Sequence, residues 1–150
     1  MEGMRVNAAE MYAASKCLSE AYAAVMSPLA RETGLAGTAV DILLFLANNP
    51  GKDTAKDICT MRGLKPGIVS FHVENLAREG YLERRAVPGD RRKSGLTLTE
   101  KADAVVVRGR AMQKEFAAAL TEGIDQRALA VCFSCLERMR ENAARMADGK

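Results

Sequence analysis

Residues 82–102, LERRAVPGDRRKSGLTLTEKA, decide the fold. Leu82, Arg84 and Ala86 alternate with Glu83, Arg85 and Val87, and Leu96 and Leu98 alternate with Thr97 and Thr99. That is the period of two expected of strands with one face covered. Pro88, Gly89 and Asp90 between the runs supply turn chemistry. The segment therefore predicts a short hairpin with Arg91, Arg92 and Lys93 held out at its tip. Directly after it, Thr99 can cap a helix whose positive end suits Glu100 and Asp103.

Upstream, PGIVSFHVENLARE (66–79) places Val69, Val73 and Leu76 on one helical face, with Pro66 suited to the first turn and Gly80 as the stop. A shorter helix, TAKDICTM (54–61), precedes it, with Thr54 and Asp57 spaced as a capping box and Gly63 at its end. The RGLK link between the two (62–65) has the length of a helix-turn-helix. Thr38 and Asp41 repeat the capping signal before AVDILLFLANN (39–49), which is apolar all round and so reads as the central buried helix. The first helix is expected from about Asn7 to Glu32, bent near Pro28 and stopped at Gly34.

Downstream, Val105, Met112, Phe116 and Leu120 form a helical stripe closed by Gly123. In the last helix Leu129, Cys132, Leu136, Met139, Ala143 and Met146 recur at alternating spacings of three and four. Such a seam fits a helix paired with a partner helix, or one packed on its own core. The expected architecture is mainly α with a small β-hairpin wing: a winged helix-turn-helix framed by long N- and C-terminal dimerisation helices.

Composition agrees with a folded chain. Of 150 residues, 48% are apolar and 27% charged, enough for one domain with a core of its own. The net charge of +3 is small, but its distribution is uneven. Residues 65–93 hold seven Lys/Arg against four acids, and the rest of the chain holds fifteen of each. All the excess positive charge lies on the helix-hairpin segment, which points to an anionic partner there. With no export-type start and no run of eighteen apolar residues, the expected location is the cytoplasm, and the four cysteines (17, 59, 132, 135) are expected to be reduced thiols.

The stretch AREGYLERRAVPGDRRKSGLTLTEKA (77–102) resembles the MarR family of bacterial transcriptional regulators: the end of a recognition helix, a glycine stop, a strand, an Asp-x-Arg wing tip, a return strand and an LTEK helix start. The resemblance in element order spans nearly the whole chain and implies one MarR-like domain over 1–150. Its winged-helix lobe would occupy about 35–100, with dimerisation helices at about 4–34 and 100–147. It implies a wing arginine at Arg92 directed to the minor groove, a bracing carboxylate at Asp90 and Arg84 at the wing base, flanked by Arg91 and Lys93. A helix enters the major groove and a narrow wing follows the backbone or the adjacent minor groove.

On the recognition helix, the residues left for DNA are Lys65, Gly67, Ile68, Ser70, Phe71, Asn75 and Arg78, with His72 beside the inward stripe. Relatives usually carry polar or basic residues where Ile68 and Phe71 stand. An apolar side chain there can touch a thymine methyl or pack on a neighbouring helix, while Ser70 or Asn75 can bond a base edge. Some relatives sense oxidants through a cysteine near the start of the first helix. Cys17 lies more than a turn beyond that position, and Tyr12 falls nearer it.

Cys132 and Cys135 form a C-x-x-C within a helical run, with no second pair for zinc. No Ser-His-Asp, Cys-His or phosphate-cradling pattern occurs and there is one histidine, so neither an enzyme nor a cofactor or metal is expected. The reading is a homodimeric, sequence-specific repressor of a pseudo-palindromic operator in double-stranded DNA, relieved by a small-molecule effector bound between the first and fifth helices and the DNA-binding lobe. The dimer would be held by Leu129, Cys132, Leu136, Met139 and Met146. The other reading is a winged-helix protein-interaction module that does not bind DNA.

Overall fold

The computed structural model describes residues 7–149, and the side chains of 87 and 90–93 are outside that description. Residues 4–6 of the expected first segment therefore lie outside the described residues. Helix α1 (Ala8–Thr33) starts at Asn7, whose side chain accepts from the N–H groups of Ala9 and Glu10 at 3.0 and 3.4 Å. It runs through Pro28, which has no N–H to offer the Ala24 carbonyl. The Ser27 hydroxyl donates to that carbonyl instead, at 3.0 Å. Gly34, at φ 73°, ends the helix in the left-handed region that a side chain would disfavour.

Helix α2 (Gly37–Asn48) begins before Thr38, at an Ala36 cap without a side-chain hydrogen bond. The expected capping box of Thr38 and Asp41 does not form. Thr38 is already helical, and the Asp41 carboxylate accepts instead from Arg62, at 3.2 Å. The all-round apolar pattern does what it implied: Ala39, Val40 and the whole run Ile42 to Phe45 are buried. Helix α3 (Ala55–Arg62) does carry its capping box, the Thr54 hydroxyl accepting from the Asp57 N–H and the Asp57 carboxylate from the Thr54 N–H, each at 3.2 Å. Helix α4 (Pro66–Arg78) opens with proline at its first turn and buries Val69, Val73 and Leu76.

Strands β1 (Leu82–Val87) and β2 (Asp90–Leu98) form an antiparallel hairpin. The Pro88-Gly89 pair makes the turn, with Gly89 at φ 84°, the conformation required after proline in a type II turn. The basic triplet is therefore not in the loop. Strand β2 starts at Asp90, and the register changes at the tip: Ala86 faces Ser94, but Val87 faces Asp90, so 91–93 are passed over as an irregularity in the ladder. The hairpin root is fastened to the segment before α3. The Leu96 N–H donates to the Asp53 carbonyl at 2.7 Å, and Thr54 makes an isolated bridge with Gly95.

Glu100–Ala102 form a short 3-10 turn leading into α5 (Asp103–Leu120). Thr99 does not cap it with its side chain. Its hydroxyl donates to the Gly80 carbonyl instead, stitching the end of β2 to the exit from α4. Leu29, Ile42, Leu43, Leu44, Ile58, Val69, Leu76, Leu82 and Ala102 belong to one buried cluster, so α4 and the hairpin are set on a common base. The chain divides into two compact units, Met1–Lys114 and Glu115–Lys150. The first contains that cluster. The second holds the end of α5 and helix α6 (Gln126–Ala147), which is capped by the Asp125 carboxylate and has no buried residue of its own.

Candidate nucleic-acid interface

Helix α4 is two-sided because its sequence is. With 3.6 residues per turn, Phe71 lies about 200° around the helix from both Val69 and Val73. Those two are buried, while Ile68, Ser70, Phe71, Glu74 and Arg78 are exposed. Lys65, at the N-cap, is exposed as well. His72 and Asn75 are half-buried at the margins. The His72 ring stands edge-on to Phe71, with centroids 5.1 Å apart and planes at 77°. Asn75 Oδ1 accepts from Arg78 at 2.5 Å, so these two polar side chains orient each other. Glu74 shares the exposed flank and was not among the residues expected at the DNA face.

In the wing, Arg84 is exposed and stands opposite Leu96 in the ladder. The arginine fixed at the wing root is its neighbour. Arg85 ion-pairs with Asp53 and donates to the Thr97 hydroxyl at 3.2 Å. Its guanidinium lies over Gly95, where an added Cβ would be 2.6 Å from Cζ. Sequence alternation alone could not select Arg85, because Asp53 is 32 residues upstream. The backbone of Asp90, Arg91, Arg92 and Lys93 lies in β2, and the expected side-chain roles of all four fall outside the described residues.

A second feature lies within the first unit, where α1, α2, α3 and α5 approach. Tyr22, Asp41, Asn48, Arg62 and Gln113 border a cavity of about 110 Å³. They form a polar chain: Gln113 donates to the Tyr22 hydroxyl at 2.8 Å, Asn48 to Gln113 at 2.9 Å and Arg110 to Asn48 at 2.8 Å. The Arg62 guanidinium sits 6.0 Å from the Tyr22 ring centroid and bonds Asp41. Burial holds the Asp41 carboxyl above its ordinary pKa, outweighing the pull of Arg62 in the other direction.

On α6, Leu129 is half-buried and Cys132, Leu136, Met139 and Met146 are exposed within the single chain. The four cysteines are free thiols, Cys59 half-buried and the other three exposed. Among the described residues, no group of His, Cys, Asp and Glu is placed to hold a metal ion, and no helix is long and apolar enough to cross a membrane.

The MarR family model matches residues 33–93, from the end of α1 through the basic triplet of the wing. A solved transcriptional regulator, PA3341, is 25% identical, with 87% of this chain and 98% of that one covered at a TM-score of 0.70. Residues 33–93 thus match the MarR family, and the 25% identical regulator extends the likeness over most of the chain. MarR-family proteins are transcriptional regulators, and two further solved structures show what this fold accompanies elsewhere. A MarR-family regulator from Listeria monocytogenes, solved with 26mer DNA, is 15% identical over 98% of this chain and 97% of that one, with a TM-score of 0.77. Bordetella bronchiseptica BpsR, described by the regulation of its DNA binding by 6-hydroxynicotinic acid, is 18% identical over 87% of this chain and 98% of that one, with a TM-score of 0.68. No curated protein matches the chain.

Proposed function

We propose that this protein is a homodimeric MarR-family repressor of a pseudo-palindromic operator in double-stranded DNA, and that a small molecule relieves repression. The observation that carries the reading is the pairing of an exposed α4 flank with an adjacent hairpin bearing Arg91, Arg92 and Lys93, both seated on one core. In this reading Lys65, Ser70, Phe71, His72, Asn75 and Arg78 face the major groove. Arg84, Arg91, Arg92 and Lys93 meet phosphates or the neighbouring minor groove, with Asp90 bracing an arginine. Leu129, Cys132, Leu136, Met139 and Met146 hold the dimer, so that two α4 helices read half-sites about 34 Å apart. The cavity at Tyr22, Arg62 and Gln113 is the effector site, because it joins α1 and α5 to the end of α3, where the chain turns into α4. The chain then works by binding in the cytoplasm and catalyses nothing.

The test is fluorescence anisotropy on a duplex enriched by the protein from a random-sequence pool, titrated at several salt concentrations. Arg92→Ala is expected to weaken binding by about ten-fold or more and to flatten the dependence of log K on log salt. Unchanged affinity and slope would remove the wing from the interface. A second reading, a protein-interaction module, draws on the exposure of Ile68 and Phe71. Failure of the protein to be retained on heparin or bulk DNA at low salt would favour it over the repressor.

A further inference from the structure

Resting on the DNA-binding reading above, we infer that Phe71 and Ile68 read thymine C5-methyl groups, so that each operator half-site is selected for thymine by hydrocarbon contact. Phe71 is 60% exposed and Ile68 45%, and three residues apart on a helix they are neighbours on the surface. Phe71 occupies the middle of the flank opposite the buried stripe, the place where a groove-entering helix meets base edges. Its ring is steadied from one side by the half-buried His72.

In front of it, one turn toward the N-terminus, stands Gly67, where an added Cβ would find nothing within 4 Å. With no side chain there, the first turn of α4 can approach a groove floor closely enough for the Phe71 ring to touch it. The charges around the pair select the partner. Lys65 lies before it and Arg78 after it on the same helix, Glu74 is the acid on the exposed flank between them, and the hairpin alongside is basic, a net positive surround that suits a polyanion carrying a small apolar group. Among the groups displayed in the major groove, one is apolar, and it is the thymine methyl. Beside the pair, Asn75 and Arg78 are bonded to each other, which fixes the direction of both polar side chains.

The test uses the full chain and the duplex it enriches from a random pool, synthesised with thymidine or with deoxyuridine at single positions of a half-site. The exchange removes one methyl and keeps base pairing. Burying one such group corresponds to about a four-fold change in affinity. At one or two positions per half-site, deoxyuridine is expected to weaken binding of the unmodified protein by about four-fold each. Phe71→Ala or Ile68→Ala is expected to bind the two duplexes alike at the position it reads, with the salt slope of the parent and an unaltered circular dichroism spectrum.

Firm, salt-dependent binding with no difference between thymidine and deoxyuridine duplexes would overturn this inference and leave the DNA-binding reading intact, making the apolar pair a protein-facing patch. Discrimination that survives both substitutions would overturn it as well. Absence of binding to any duplex would overturn the DNA-binding reading itself, and this inference with it.

Discussion

Replacing Gly109 by alanine sets two physical effects against each other, and the structure decides which prevails. Within an α-helix the exchange ordinarily stabilises by about 0.5–1 kcal/mol, because glycine loses more backbone freedom on folding. In α5, however, a Cβ at position 109 would fall 2.5 Å from Leu44 Cδ2, 2.9 Å from Cδ1 and 3.1 Å from Cγ. Carbon atoms rest about 3.5–4.0 Å apart, so the new methyl overlaps the leucine by about 1 Å. Leu44 is 1% exposed and has no solvent to turn into.

Overpacking of this kind costs about 1–3 kcal/mol, so after the helical gain a net loss of about 1–2 kcal/mol is expected. Gly67→Ala supplies the contrast: with nothing near its Cβ position, it is expected to be neutral or to stabilise by up to about 1 kcal/mol. Both are measured by urea denaturation followed by circular dichroism at one fixed protein concentration, since the stability of the proposed dimer would depend on concentration. Leu44→Ala should cost about 2–5 kcal/mol alone, and Gly109→Ala added to it should cost less than in the parent. Equal or greater stability of Gly109→Ala in the parent background would refute the close α2–α5 crossing.

Three further outcomes are expected. Thr54→Ala removes one half of the α3 capping box and should lower stability by about 1 kcal/mol, read as a shifted urea midpoint at unchanged slope. Asp41 has its folded-state pKa raised by burial, so the native state holds its proton more tightly than the unfolded chain. Its contribution to stability is therefore lost as pH rises from the ordinary carboxylate value through the raised one, and recovered on acidification. Asp41→Asn should flatten the pH profile of stability across that window; an unchanged profile would show that burial does not govern this carboxyl. Leu136→Glu should convert a dimer to a monomer in sedimentation velocity and weaken operator binding with it, and a dimer that survives would exclude the α6 seam as its interface.

Two identical sequence signals show where reading the chain works and where it stops. Thr54/Asp57 and Thr38/Asp41 have the same spacing, yet only the first pair forms a capping box. The difference is not local. Arg62, 21 residues away, takes the Asp41 carboxylate, and α2 starts at Gly37 without a side-chain cap because its buried apolar run supplies the stability. The buried stripe of α4 was legible, since periodicity alone identifies Val69, Val73 and Leu76. The hairpin was legible from its alternation and its Pro-Gly turn. The placement of the basic triplet was not, because a register change depends on how two strands pair rather than on either strand by itself. Arg84 and Arg85 are indistinguishable in sequence, and only the fold brings Asp53 and Thr97 to one of them.

The seat of Arg85 over Gly95 also has a historical consequence. While that guanidinium occupies the space above position 95, a side chain arriving there must push it aside, at the expense of its ion pair with Asp53 and its bond to Thr97. If Arg85 is first exchanged for a short residue, the position opens, and the strand can gain bulk at 95 without penalty from that neighbour. The two sites can therefore drift in one order but not readily in the other. Descendant lineages should contain glycine at 95 without arginine at 85 far more often than a bulky residue at 95 with the arginine still in place.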